Sequence, residues 1–457
     1  MADTPQRIVV IGGGLAGAKG VEALRAKGFE GTLTLISDES DLPYERPPLS
    51  KDYLQGKAEF EKAIVHPAEW YKSNNVDLRL GVAVMAVDRE RKQVELADKT
   101  IFAYDRLLLA TGAIPRKLDV PGSDAVRYLR SHHDSDVLKS TFTEGKRVVI
   151  IGAGWIGLEV AAAARNAGAE VTIVEMAELP LVGVLGPEMA QVFADLHREH
   201  GVDLRLEATL EEIVVDDDGV ATGVRLGDDE TIDADLVVVG VGVAPEDSLA
   251  RMAGLNVDNG VLVDAALRTS DSAIWAVGDI ANHDHPVLRR RIRVEHWANA
   301  LNQPAVAAAS MLGESEAKYD NLPYFFSDQY DLGMEYVGYA PKDGYAKVVV
   351  RGDTESREFV AFWLDDENHV LAAMNVNVWD VVDEIKPIIA ERTVVDPDRL
   401  KDASVGYGDV AAGSADDEAD DETDNQADDQ PDDVSHEESA GGPGDESDAA
   451  AENRSDK

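Results

Sequence analysis

Two glycine-rich turns, each completed by a downstream acid, are the residues of this chain best placed to do chemistry. The first is Gly12-x-Gly14-x-x-Gly17, which follows the apolar run Ile8–Ile11 and opens a helical pattern. A second apolar run, Leu33–Ile36, then leads to Asp38. In such a turn Gly12 permits the tight bend, Gly14 lets backbone approach a pyrophosphate, and Gly17 lets helix and strand pack closely. The helix N-terminus adds N–H donors and positive dipole, and Asp38 stands where an acid accepts hydrogen bonds from ribose hydroxyls. The pattern returns as Gly152-x-Gly154-x-x-Gly157, with Glu175 as its acid. Two fingerprints imply two dinucleotides, and therefore electron transfer between two cofactors.

Glu175 also narrows the choice of the second nucleotide. A carboxylate there accepts bonds from both ribose hydroxyls and repels a 2′-phosphate, and residues 176–185 contain no Arg or Lys to bind one. The expected nucleotide is NADH, not NADPH. Glu159 lies just beyond Gly157, where a nicotinamide would pass towards the other cofactor.

No cysteine is present, which excludes disulfides, thiolate nucleophiles and cysteine-ligated iron–sulfur clusters. Any redox chemistry must rest on bound cofactors. His132, His133 and the pair His283/His285 lack supporting carboxylates at metal-ligand spacing. They are expected to be surface histidines, with no metal site. A formal charge of −45 argues against nucleic acid and anionic membranes as partners. No apolar run approaches the ~20 residues of a membrane span, and MADTPQR does not resemble a secretory leader, so a cytoplasmic protein is expected.

The elements that position these residues form an α/β plan: two Rossmann-like dinucleotide-binding domains, a C-terminal α+β domain and a disordered acidic tail. Residues 1–113 and 245–320 are expected to build the first nucleotide domain, 114–244 the second, and 321–408 the third. Residues 409–457 are Asp, Glu, Ala, Ser and Gly with little apolar bulk, too little to offset the entropy of ordering. After Asp38, Pro47 and Pro48 stiffen a loop before a short helix near Leu49 or Ser50. Lys51 follows, either laid against a planar cofactor or simply solvated in a first helical turn. Residues 76–87 alternate as a strand, 128–133 connect, and 204–206 read as a short antiparallel strand. The run SAIWAVGDIA brings Asp279 to the end of a buried strand, as a turn-former or, preferably, a ligand to a sugar-like polyol. A helix is expected over 296–312. From Leu322 the pattern alternates as an antiparallel sheet, followed by a helix at 378–392.

Four stretches carry a resemblance: PYERPPLSKDYL (43–54), WAVGDIA (275–281), VEHWANALNQ (294–303) and PYFFSDQYDLGMEYVG (323–338). The chain resembles the FAD-containing, NADH-dependent ferredoxin reductases that serve bacterial oxygenases and cytochromes P450, from about Arg7 to Val405. That resemblance implies that Gly12, Gly14, Ala16 and Gly17 hold the FAD pyrophosphate and Asp38 its adenosine ribose. Arg46, Pro47 and Lys51 would lie against the isoalloxazine, and Asp279 would bind the ribitol. Trp297 would start a helix whose N-terminus faces the flavin pyrimidine, and Phe326 would stack nearby. Gly152, Gly154, Gly157, Glu159 and Glu175 would hold NADH, with Gly242 near the nicotinamide. Lys51 and Glu159 are expected to form an ion pair beside the flavin. The family usually carries Trp at both aromatic positions occupied here by Tyr324 and Phe326, so an indole N–H and some polarisable area are lost.

The implied function passes electrons from NADH through FAD to a small iron–sulfur ferredoxin. Rival readings of the same fold are an NADH oxidase, which generally needs a cysteine beside the flavin, and an NADH-sensing flavoprotein. Arg289, Arg290, Arg291 and Arg293 cluster in an otherwise acidic body. They either steer an acidic ferredoxin or neutralise neighbouring carboxylates.

Overall fold

The computed structural model describes residues 5–413; of the tail expected to be disordered from 409, residues 409–413 are ordered, with Val410 buried and the Ala412 N–H donating to the Val394 carbonyl, and the acidic stretch beyond them lies outside the described residues. Strand Arg7–Ile11 forms because four β-favouring residues in a row are apolar, which suits a strand covered on both faces. It is the centre of a five-stranded parallel sheet in the order Ile274–Ala276, Arg106–Leu109, Arg7–Ile11, Thr32–Ile36, Val76–Arg79. Arg147–Ile151 is the centre of a second parallel sheet, ordered Asp203–Arg205, Glu170–Val174, Arg147–Ile151, Leu236–Val239, Arg127–Tyr128. The chain crosses from the first sheet to the second and back through an antiparallel ribbon, Ala113–Pro115 against Val243–Pro245. The first sheet takes its last strand, Ile274–Ala276, after the second sheet is complete.

The fingerprint helix Leu15–Ala26 buries Ala16, Val21 and Leu24 against the first sheet. It also packs against helix Trp297–Met311, whose Ala307 and Ala308 are small enough to admit it closely. The second fingerprint helix, Trp155–Asn166, buries Leu158 through Ala164 without interruption, because it is covered on nearly all sides.

From Tyr324 the chain builds an antiparallel sheet, ordered Tyr324–Gln329, Leu332–Gly338, Val370–Val376, Glu358–Leu364, Lys347–Asp353. Alternation divides its side chains between two cores. Met334, Tyr336, Phe359, Ala361, Trp363 and Met374 face Leu158, Leu185 and Phe193 of the second nucleotide unit. Val337, Val360, Phe362 and Ala373 face helix Val382–Ala390 on the other side. The indole Nε1 of Trp363 donates to the Leu185 carbonyl at 3.1 Å, pinning the two units together.

Several local expectations change. The single strand over 76–87 is two, Val76–Arg79 and Val84–Asp88, because the chain turns at Gly81 (φ +71°) and leaves the parallel sheet for an antiparallel one. The strand at 204–206 is Asp203–Arg205 and runs parallel, as the edge of the second sheet. The connector 128–133 contributes a short strand, Arg127–Tyr128, and the start of a helix, His132–Thr141, closed by a Ser131–Asp134 capping box. The last long helix is shorter than expected, Val382–Ala390, since Asn377 and Asp380 both adopt positive φ.

The histidines are also corrected. His283 and His285 are fully buried on strand Ala281–His285, which is covered by Tyr319 and paired with Arg290–Ile292. His132 is half-buried and stacks on Phe60 at 3.5 Å. Of these four, His133 alone is exposed. Among the described residues no cluster of His, Cys, Asp and Glu could hold a metal, and no helix is long and apolar enough to cross a membrane.

Candidate functional site

Both fingerprints open onto one cavity of about 880 Å³. The turns are shaped for close approach: a Cβ on Gly17 would sit 1.9 Å from the Gly12 carbonyl oxygen, and one on Gly157 would sit 2.1 Å from that of Gly152. These positions, with Gly152, shape the turns without lining the cavity; Gly12, Gly14, Ala16 and Gly154 do line it.

Around the first turn the wall is polar. Asp38, just beyond strand Thr32–Ile36, is exposed, lines the cavity and has no partner among the described residues. Arg46 is fixed by Glu39 (2.6 Å) and by the Tyr44 hydroxyl (3.0 Å). Pro47 begins the short 3-10 turn Pro47–Ser50, where its fixed φ costs nothing and its missing N–H is not needed. Asp279, in the turn after strand Ile274–Ala276, accepts from Arg130 at 3.2 Å. Burial and the neighbouring Arg46 guanidinium both pull Arg130 below the usual arginine range. Arg130 was not singled out from the sequence. Its only signal is its place just beyond the edge strand Arg127–Tyr128, at the level where parallel strands deliver ligand-binding groups.

The far wall comes from helix Trp297–Met311. No side chain caps its N-terminus and no acid occupies its first turn, so its N–H groups and positive dipole face the cavity uncompensated. His296, the residue before it, lines the cavity, and its buried Nδ1 has no partner. Burial holds this imidazole down to about 4, in its neutral form. Trp297 Nε1 donates to Glu45 at 2.8 Å, joining the helix to the loop that carries Arg46. Gln303 is fully buried; its Oε1 accepts from the Gly278 N–H at 2.8 Å while its Nε2 has no partner.

The two halves of the cavity meet at an ion pair. Lys51 Nζ lies 2.8 Å from Glu159 Oε1, with 13% and 2% of the two side chains exposed. Glu159 projects from the second fingerprint helix and receives two further donors, Ser50 Oγ and Ser327 Oγ, the latter at 2.6 Å. Lys51 also stands 5.2 Å from the centroid of Phe326, whose ring meets Trp297 edge-on at 6.1 Å. Tyr324 is half-buried, and its hydroxyl donates to Glu335 at 2.6 Å. Neither serine was singled out from the sequence, although Ser327 follows from alternation: residues on either side of Phe326 must face away from it.

The second nucleotide's half is lined by Gly154, Trp155, Ile156, Gly242, Gly183 and Val184. Glu175 does not line the cavity. Its carboxylate accepts from the N–H groups of Ala153 (2.7 Å) and Ala177 (2.9 Å), which ties it into the fingerprint turn.

The arginine cluster divides. Arg289 and Arg290 are exposed, and Arg290 stacks at 5.0 Å over Tyr339, which lines the cavity. Arg291 is also exposed, but its Nη1 donates to the carbonyls of Val263 and Asn282. Arg293 is only 6% exposed in its side chain and pairs with Glu295 at 2.7 Å.

Two dinucleotide turns facing each other across one cavity define a two-nucleotide oxidoreductase. The walls fit a flavin dinucleotide in the first half: an unpartnered carboxylate at the ribose position, two arginines, an uncapped helix N-terminus and buried amide and imidazole nitrogens without partners. The chain belongs to the pyridine nucleotide-disulphide oxidoreductase family, whose profile matches residues 6–304, and a reductase C-terminal profile matches residues 324–410. It is 40% identical over 401 residues to the ferredoxin–NAD(+) reductase component of the anthranilate 1,2-dioxygenase system of Burkholderia cepacia, covering 87% of this chain and 97% of that protein. Rhodocoxin reductase of Rhodococcus erythropolis is 42% identical over 357 residues, covering 78% of this chain and 83% of that one. In three dimensions the chain matches the crystal structure of the covalent putidaredoxin reductase–putidaredoxin complex, with a TM-score of 0.85 and 37% identity. That match covers 89% of this chain and 98% of the other. Despite the family's name, no cysteine exists here to form a redox disulfide.

Proposed function

We propose that the chain passes electrons from NADH, through bound FAD, to a small iron–sulfur ferredoxin that serves an oxygenase. The single observation that carries this is the shared cavity with the Lys51–Glu159 pair at its junction. The chemistry supplied by bound FAD is the exchange of one hydride for two single electrons. Everything else falls to the protein's own groups, which position two rings and tune charge around them.

Gly12, Gly14, Ala16 and Gly17 form the turn proposed to receive the FAD pyrophosphate, with Arg46 and Arg130 supplying positive charge and Asp38 accepting from a ribose. Asp279 serves the ribitol, and the N-terminus of helix Trp297–Met311 faces the region where negative charge grows on reduction. Lys51, held by Glu159, presents a fixed ammonium at the junction, and Pro47 and Phe326 give that region apolar walls. Gly152, Gly154, Gly157, Glu175 and Gly242 are assigned to NADH. Glu175 acts partly by bracing the turn through Ala153 and Ala177. The division of labour follows the segments 1–113 with 245–320 for FAD, 114–244 for NADH and 321–408 for the third domain. The cytoplasm, where NADH is made, is the fitting compartment.

The acceptor is assigned to the rim carrying the exposed Arg289 and Arg290, the second of which stacks on Tyr339 of the cavity wall. A local positive patch can steer an acidic ferredoxin even when net charge is repulsive, once salt screens distant charges. Double reversal, Arg289→Glu with Arg290→Glu, tests this with two acceptors. Ferricyanide reduction and single-turnover flavin reduction by NADH are expected to stay at wild-type rates. The ferredoxin KM is expected to rise several-fold and to lose salt sensitivity. An unchanged ferredoxin KM and salt slope moves the docking site elsewhere. Wild-type protein that consumes NADH only by reducing oxygen, with no ferredoxin reduced, removes the reductase reading itself.

A further inference from the structure

The hydrogen bonds that converge on Glu159 do not end at Ser327. Strand Tyr324–Gln329 alternates, so Phe325, Ser327 and Gln329 share the face turned towards the second nucleotide unit. Ser327 Oγ donates to Glu159 Oε1 at 2.6 Å, and Gln329 Nε2 donates to Ser327 Oγ at 3.2 Å. The other end of that amide, Oε1, lies 2.9 Å from His197 Nε2, and His197 Nδ1 lies 3.5 Å from the Tyr330 hydroxyl. Ser327 and Gln329 are each 1% exposed and His197 is fully buried.

The direction of every link is forced. A carboxylate salt-bridged to an ammonium only accepts, so the Ser327 hydroxyl must spend its proton there. Its oxygen then accepts from the Gln329 NH₂ group, which turns the amide oxygen outward. That oxygen needs an N–H, so His197 carries its proton on Nε2 and leaves Nδ1 to accept from Tyr330. Burial holds His197 down to about 4, keeping it neutral for this role. The result is a row of aligned donors aimed at one buried carboxylate. Three buried polar side chains are costly unless mutually satisfied, and a hydrophobic face would have joined the two domains with no such cost.

We propose that Ser327, Gln329 and His197 are positioning residues that hold the Glu159 carboxylate in the orientation that retains Lys51, so that the third domain, anchored through His197 of the second nucleotide unit, sets the geometry of the ion pair. The inference rests on the reductase reading for its purpose but not for its geometry. It is therefore tested on Lys51 itself, by reductive methylation of the isolated holoenzyme, with each lysine followed by peptide mass spectrometry. In Ser327→Ala the Lys51 labelling rate is expected to rise roughly tenfold, as one charge-assisted hydrogen bond is lost. Gln329→Leu is expected to raise it several-fold. The double variant should match Ser327→Ala to within about twofold, because both act through one link. In stopped flow, the same variants should slow flavin reduction at saturating NADH and leave the NADH dissociation constant alone.

Unchanged Lys51 labelling in Ser327→Ala overturns the proposal. So does multiplicative behaviour in the double variant, or a parallel rise at Lys19 and Lys27, which would report general loosening. Since labelling needs neither NADH nor an acceptor, its failure leaves the reductase reading standing. Failure to reduce a ferredoxin would sink that reading without touching the labelling result.

Discussion

Replacing Lys51 with methionine removes one charge from the junction while keeping the length and apolar stem of the side chain. At 2.8 Å and an effective dielectric of about 20, the direct attraction to Glu159 is roughly 6 kcal/mol. Most of that is cancelled by taking both charges out of water. What the variant leaves behind is a carboxylate that is 2% exposed and still accepts from Ser50 and Ser327. Two remaining donors soften the usual 3–5 kcal/mol cost of breaking a buried pair, so a loss of about 1–3 kcal/mol in unfolding free energy is expected. The rate effect should be larger than the binding effect. A preorganised cation beside developing negative charge contributes on the order of 2–3 kcal/mol to a transition state, or roughly 10²-fold. Single-turnover flavin reduction at saturating NADH should therefore slow by about one to two orders of magnitude. The NADH dissociation constant, set by contacts along the second fingerprint, should change less than about threefold, a difference of under ~1 kcal/mol. Flavin absorbance in a stopped-flow spectrometer measures both quantities, and urea unfolding measures the stability. Wild-type reduction rates would show that Lys51 merely fills space; a loss confined to NADH affinity would place it in binding and not in the chemical step.

Cofactor choice follows from Glu175: kcat/KM for NADH should exceed that for NADPH by at least thirtyfold, about 2 kcal/mol, through repulsion of a 2′-phosphate and lost ribose hydrogen bonds. Equal values for the two would remove that role. Acid stability should be governed in part by buried histidines. Burial holds His197 and His296 down to about 4, and His283, beside His285 and Arg291, down to about 3. Their folded values lie below the unfolded value of about 6.5, so the unfolded chain binds more protons and stability falls as pH drops from about 6.5 towards 3. His283→Leu should flatten the dependence of the urea midpoint between pH 6.5 and 4.5, each such histidine being worth on the order of 3 kcal/mol at the acid end; an unchanged slope would exclude it as a contributor. A chain ending at Gly413 should keep its melting temperature and ferredoxin-linked rate at moderate salt, and a several-fold change in that rate would give the acidic tail a docking role.

Local features could be read from consecutive residues. Each fingerprint needs glycines at set positions between a buried strand and a helix, because backbone must approach backbone there, and that demand is written into consecutive residues. Ladder-forming strands such as Arg7–Ile11 and Glu358–Leu364 were legible for the same reason, since apolar runs and alternation depend only on neighbours in the chain. The pairing of Lys51 with Glu159 was anticipated through family likeness, not through spacing. Which partners complete that pair depends on packing between distant segments. Ser327 comes from a sheet far along the chain, and its hydroxyl reaches Glu159 only because Met334, Tyr336 and Trp363 bury one face of that sheet against the second nucleotide unit. The same holds for the histidines of strand Ala281–His285. Nothing in HDH predicts burial, yet pairing with Val261–Val263 and Arg290–Ile292 under Tyr319 excludes water from both rings. The arginines were separated by the fold in the same way: four charges in near succession read alike, but the Arg293 side chain is buried against Glu295 and the Asp279 carbonyl, Arg291 stays exposed yet ties one guanidinium nitrogen to two carbonyls, and Arg289 and Arg290 are left to solvent. Side-chain direction depends on what packs above and below a strand, and that information is distributed over the whole chain.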